Sequence, residues 1–161
     1  MRRILVSACL LGEAVRYDGR PRPLDHPALR RWRAEGRIVG FCPECAAGLP
    51  VPRPPAEIAP GCDADAILDG LGTVREIGGR DVTAEFVDAA RRALAHAQAA
   101  GCAWALLADR SPSCGSGFVH AGDFDGKLSP GSGLTAALLR RHGIPVFAET
   151  GIAALAAAVD G

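Results

Sequence analysis

The sequence has no excess of charge of either sign: 18 Lys and Arg residues balance 18 Asp and Glu residues. With a pI near 6.9 it carries no basic field of the kind that holds a nucleic-acid backbone. A small-molecule partner is expected instead. It also lacks any apolar run approaching the ~18 residues that a membrane helix needs. Internal repeats, low-complexity tracts and linkers are absent too, so residues 1–161 read as a single domain long enough to bury a core. Val6-Ser7-Ala8-Cys9, following Arg2 and Arg3, superficially resembles a lipoprotein cleavage site. Only Ile4, Leu5 and Val6 separate the arginines from Ser7, whereas a signal h-region needs roughly 7–15 apolar residues. A cytoplasmic protein is expected.

What the sequence does have is cysteine: six in a chain that is 48% hydrophobic and 22% charged. In a reducing compartment, cysteines point to metal binding or catalysis before they point to disulfides. The competing reading for any one of them is a small buried hydrophobe. Cys102, just ahead of an apolar run, suits that role, and Cys62 in a Gly-Asp segment reads as an incidental thiol.

Apolar periodicity sorts the chain into alternating strands and helices. Residues 3–8 form a buried strand ending at Cys9. Asp25 is an N-cap candidate and Pro27 suits the first turn of a helix that Gly36 stops. Residues 37–41 form a second strand delivering Cys42, and residues 48–55, with four prolines, form an extended loop. Short strands are expected around 66–68 and 73–77. Thr83 reads as the N-cap of the clearest helix, closed by Gly101. Residues 103–108 make a central strand running into Ser111-Pro112-Ser113-Cys114. A helix over 133–142, a strand over 144–148 and a final helix capped by Thr150 complete the pattern.

This alternation predicts a three-layer, Rossmann-like α/β domain with a mostly parallel sheet. Ligands of such sheets bind beyond the carboxyl ends of the strands. Cys9, Cys42 and the Ser111–Cys114 segment each follow a strand, so all three are expected at one edge. Thiolates suit iron–sulfur clusters and zinc. Three of them leave one iron of a four-iron cluster without a protein ligand.

The segments Ser7-Ala8-Cys9-Leu10-Leu11-Gly12, Cys42-Pro43-Glu44 and Arg110-Ser111-Pro112-Ser113-Cys114-Gly115 resemble, in this order, the DUF523 family of thiouracil desulfurase-like proteins. The resemblance continues through Gly79-Arg80-Asp81-Val82-Thr83, Gly131-Ser132-Gly133-Leu134-Thr135 and Ile144-Pro145-Val146-Phe147-Ala148-Glu149, nearly the whole chain. It implies a [4Fe–4S] enzyme that removes sulfur from a thiolated base such as 2-thiouracil. It also implies Cys9, Cys42 and Cys114 as cluster ligands, with Glu44 and Ser111 as catalytic residues.

The chain departs from the family pattern twice. Leu107-Ala108-Asp109 stands where a lysine commonly precedes Arg-Ser-Pro-Ser-Cys, and Cys45 creates a CxxC that offers a competing fourth ligand. Three other readings remain. A zinc hydrolase or deaminase lacks its His-x-Glu and Pro-Cys-x-x-Cys. A thioredoxin-like module has no room for a helix between the CxxC and the prolines. A non-catalytic iron–sulfur or zinc binding module needs the cysteines but makes no demand on Glu44 or Ser111. Arg53 reads either as a substrate contact or as a solvated arginine. Gly131-Ser132-Gly133 reads as an anion site or a plain cap, and Ser111 and Ser113 as turn formers. His26, His96, His120 and His142 read as surface or capping residues.

Overall fold

A computed structural model describes all 161 residues. Strand β1 (Arg3–Ser7) lies beside β2 (Ile38–Phe41) on one flank and β5 (Cys102–Leu107) on the other, and β5 pairs with β8 (Val146–Ala148). All three pairings are parallel, with Val6 opposite Gly40 and Leu106, and Leu106 opposite Phe147. The predicted parallel sheet is therefore present, in the order β2-β1-β5-β8.

Period-two alternation along the strands explains why both faces are covered. Ile4, Val6, Trp104 and Leu106 point to one face, where α1 (Pro27–Ala34) contributes Leu29 and Trp32 and α6 (Ile152–Asp160) contributes Ile152 and Leu155. Leu5, Ala105 and Leu107 point to the other face. There they meet Ala97 of α4 (Thr83–Ala99) and Ala136 and Leu139 of α5 (Leu134–Arg141). Small alanines at the α4 contact let that helix lie close to the sheet. A third apolar cluster joins α4 and α5 to α3 (Ala64–Leu68) and the antiparallel pair β3 (Ala56–Ile58) and β4 (Val74–Glu76). A second hairpin, β6 (Phe118–His120) with β7 (Leu128–Pro130), follows β5.

Several local expectations are corrected. His26, not Asp25, caps α1, its Nδ1 accepting from the Ala28 N–H at 3.1 Å. Residues 66–68 belong to α3 rather than a strand, because the Asp63 carboxylate caps the Ala66 N–H at 2.7 Å. Thr83 is the first residue of α4 rather than its cap. Its hydroxyl is taken by Asp81 and by the Val74 N–H. Thr150 sits in a 3-10 turn, Glu149–Gly151, and makes no capping bond to α6. The CxxC does open a helix, α2 (Pro43–Ala46), one turn long with Cys42 at its N-cap and Pro43 next. Gly48, at φ +87, closes it, so the thioredoxin-like comparison fails on helix length rather than on helix presence.

Candidate active site

The order of the sheet reverses between β1 and β5, and the carboxyl ends of β1, β2 and β5 open onto one cavity of about 490 Å³. Past β1 the chain tightens into a 3-10 turn, Ala8–Leu11, which sets Cys9 in the wall. Beyond β2, Cys42 and the first turn of α2 deliver a thiol and the Glu44 carboxylate. After β5, residues 109–118 bring Ser111 and Cys114 to the same cavity. All five residues singled out in the sequence thus line one space. Cys45 is not among the lining residues, although its N–H and thiol lie against the Cys42 sulfur.

All six cysteines are free thiols. Burial pushes the Cys9 thiol up, and Arg16 and Arg22 pull it partly back. Burial drives Cys42 up to about 12, with Cys45 and Glu44 adding repulsion against the nearby Cys45 N–H. Cys114 is raised furthest, by its complete burial and by Glu44, Cys9 and Cys42, against a hydrogen bond with Ser7. Three soft donors thus face one cavity in surroundings that oppose bare thiolates. A metal cation is the partner that lets such groups ionise. No three His, Cys, Asp or Glu side chains converge tightly enough to hold a single ion. Soft thiolate donors suit an iron–sulfur cluster as well as zinc.

Glu44 is almost closed off from solvent, its side chain 12% exposed, and it is ion-paired with Arg53, 6% exposed. Burial raises the carboxyl's proton affinity above the usual carboxylate range, and the guanidinium offsets only part of that. Arg53 is itself held by the Pro50 carbonyl at 3.2 Å and the Val15 carbonyl at 3.1 Å. Arg53 lines the cavity and is not a solvated residue. It is the partner that fixes Glu44, and the proline-stiffened segment 50–55 is what carries it there.

The loop after β5 is organised by Asp109. One carboxylate oxygen accepts from the N–H groups of Arg110 at 2.9 Å, Ser116 at 3.0 Å, and Gly117 and Phe118 at 3.2 Å. Burial pushes this carboxyl up, but the four N–H groups outweigh it and hold it below the usual range. The Asp109 N–H in turn donates to Glu149 at 2.8 Å, whose other oxygen pairs with Arg22 at 2.7 Å. Inside the loop, the Ser111 hydroxyl oxygen accepts from the N–H groups of Ser113 at 2.9 Å and Cys114 at 3.0 Å. Ser111 shapes the turn that presents Cys114, and its own hydroxyl proton remains available to the cavity. Arg110, at φ +75, occupies the left-handed region that non-glycine residues avoid.

Gly131-Ser132-Gly133 is not an anion site. The N–H groups that open α5 are consumed by loop carbonyls: Gly133 to Gly115 at 2.7 Å, Leu134 to Pro112 at 2.8 Å and Thr135 to Ser113 at 2.9 Å. A Cβ on Gly133 would stand 2.5 Å from the Ser113 carbonyl oxygen, so glycine permits this docking. Ser113 is fully buried and bonds Thr135 at 2.8 Å.

Two further residues escaped sequence reasoning. Ser7, whose oxygen accepts from the Ala108 N–H at 3.0 Å and which also bonds Cys114, lines the cavity. Its place two residues before Cys9 was the available signal. His120 lines the cavity as well, contrary to its reading as a surface or capping residue. No local motif marks it, because only the β6 pairing brings it there.

The description "2-thiouracil desulfurase" belongs to the family model that matches residues 4–151. A solved structure of a "[4Fe-4S]-dependent thiouracil desulfidase TudS (DUF523Vcz)" superposes with a TM-score of 0.90 at 47% identity, covering 99% of each chain. The Bacillus subtilis (strain 168) protein YbbK, described as uncharacterized, is 41% identical over 149 residues, 91% of this chain and 95% of that one.

Proposed function

The chain belongs to the 2-thiouracil desulfurase family, and from that premise we propose that it is a [4Fe–4S]-dependent desulfurase of thiolated bases such as 2-thiouracil. The proposal treats residues 1–161 as one domain, working in the cytoplasm, where reducing conditions keep six thiols free. The observation that carries it is the convergence of Cys9, Cys42 and Cys114 from three strand ends on one cavity that also holds Glu44 and Ser111. Cys9, Cys42 and Cys114 are the residues to hold the cluster. When bound, it supplies a Lewis-acidic iron without a protein ligand, which has affinity for sulfur.

The reaction exchanges sulfur for oxygen: thiocarbonyl plus water gives carbonyl plus hydrogen sulfide, with no change in oxidation state. The chain's own residues manage water and protons. Glu44, made more basic by burial and held still by Arg53, takes a proton from the attacking water. Ser111, with its oxygen already accepting two N–H groups, has only its proton to offer, and it donates a hydrogen bond to the departing sulfur. The protons taken from water by way of Glu44 leave on that sulfur as hydrogen sulfide, returning both side chains to their starting state.

Anaerobic reconstitution with iron and sulfide tests the reading, followed by absorption and EPR spectroscopy and assay on 2-thiouracil. A cluster and uracil production are expected. A single zinc, or no cluster, would defeat it. Replacing Cys9, Cys42 or Cys114 by serine abolishes cluster loading, whereas Cys45→Ser retains it, because Cys45 stands outside the cavity lining. Glu44→Gln and Ser111→Ala load cluster but lose at least ~100-fold in kcat. Desulfuration that survives both changes rules out their catalytic roles.

A further inference from the structure

The cavity that the cysteine-bearing turns line also takes Phe124 and Gly126 from the tip of the β6–β7 hairpin into its wall, and this tip is built with unusual restraint. Phe124 at its apex has φ +53, a left-handed conformation that a bulky residue rarely adopts. Buried Glu57 on β3 holds it there, one carboxylate oxygen accepting from the Gly122 N–H at 2.8 Å and the Phe124 N–H at 3.3 Å. Gly122, at φ +102, lies so close to β3 that an added Cβ would come within 2.6 Å of the Ile58 carbonyl oxygen. A buried carboxylate, a glycine-only approach and a disfavoured backbone all serve to fix one half-buried ring in the cavity wall.

That ring has no other employment. Of the phenylalanines lining the cavity, Phe86 belongs to the cluster beneath β3 and β4, and Phe41 stacks on His96 with centroids 4.8 Å apart. Phe124 belongs to none of the three apolar clusters. Strained, over-determined residues gather at ligand clamps, and an aromatic face is what a flat heterocycle stacks on. We infer that Phe124 is a substrate-stacking residue, held by Glu57 so that its ring packs on the plane of the thiolated base. The inference rests on the desulfurase reading, and it names a specificity determinant that reading does not require.

The test uses cluster-loaded protein. Phe124→Leu keeps apolar bulk and removes the aromatic face; Phe124→Trp restores one. For Phe124→Leu, KM for 2-thiouracil and Kd for the product uracil both rise about 10- to 100-fold. Its kcat stays within about threefold, since stacking binds substrate and transition state alike. Phe124→Trp recovers wild-type KM to within about threefold. Phe124→Gly, which suits φ +53, binds as weakly as the leucine variant and melts no lower than wild type. A leucine variant with wild-type KM and uracil affinity, beside a wild type that turns over 2-thiouracil, overturns the stacking role alone. A cluster-loaded wild type that neither binds nor turns over 2-thiouracil overturns the functional reading and this inference with it.

Discussion

Removing the Asp109 carboxylate is the sharpest perturbation available, because one oxygen organises the loop that presents both Ser111 and Cys114. Asp109→Ala leaves the N–H groups of Ser116, Gly117 and Phe118 without their acceptor, while that of Arg110 keeps the Phe118 carbonyl at 3.1 Å. A hydrogen bond to a charged group contributes about 1.5–3 kcal/mol net. Four donors sharing one oxygen in a half-buried loop are far from additive. The expected loss is about 2–4 kcal/mol for Asp109→Ala and about half that for Asp109→Asn, which keeps a neutral acceptor. For a chain of this length that lowers Tm by roughly 5–15 °C. The pH dependence has a definite sign. Folding holds this carboxyl below its ordinary value, so the stabilisation is complete above the unfolded value near ~3.9 and is lost as pH falls through the lower folded value. The gap between wild type and Asp109→Asn is therefore constant at neutral pH and closes only below about pH 4. Urea titrations of the metal-free proteins from pH 7 down to the acid limit measure it. Asp109→Ala within about 0.5 kcal/mol of wild type, or a gap indifferent to acid, would refute the reasoning.

Two further outcomes follow from the packing around the same cavity. Arg53→Met strands Glu44 without its cation, at a cost of about 3–5 kcal/mol. The double variant with Glu44→Gln recovers much of that loss in a melting experiment, whereas equal stability of single and double variants would show that the pair does not act together. Gly133→Ala sets a methyl 2.5 Å from the Ser113 carbonyl oxygen, in backbone rather than in a flexible side chain. It lowers Tm and weakens cluster retention during chelator challenge, and unchanged retention would show that α5 does not brace the Cys114 loop.

Some of this architecture was legible early because it is local. The apolar runs at 3–8, 37–41, 103–108 and 144–148 announced parallel strands, and all four form the sheet. Helix α4 was equally plain from its periodicity. Local reading failed where short segments depend on a partner. Ala56–Ile58 is a strand only because Val74–Glu76 lies beside it, and Phe118–His120 only because Leu128–Pro130 does. At 66–68 the apolar run suggested a strand, and the Asp63 cap decided for helix.

The same division runs through the cavity. Placing Cys9, Cys42, Glu44, Ser111 and Cys114 after strands was within reach of the sequence, since a parallel sheet aligns its carboxyl ends whatever the side chains are. The bonds that give those residues their properties were not. Arg53 finds Glu44 only because a proline-rich loop doubles back over α2. Glu149 reaches Asp109 across 40 residues, and Glu57 reaches Gly122 across 65. Burial sets the proton affinity of Glu44 and the three thiols, and burial belongs to the assembled tertiary structure. Which groups carry the chemistry was written along the chain, while how tightly each is held and how readily it ionises was decided by segments that meet only in the fold.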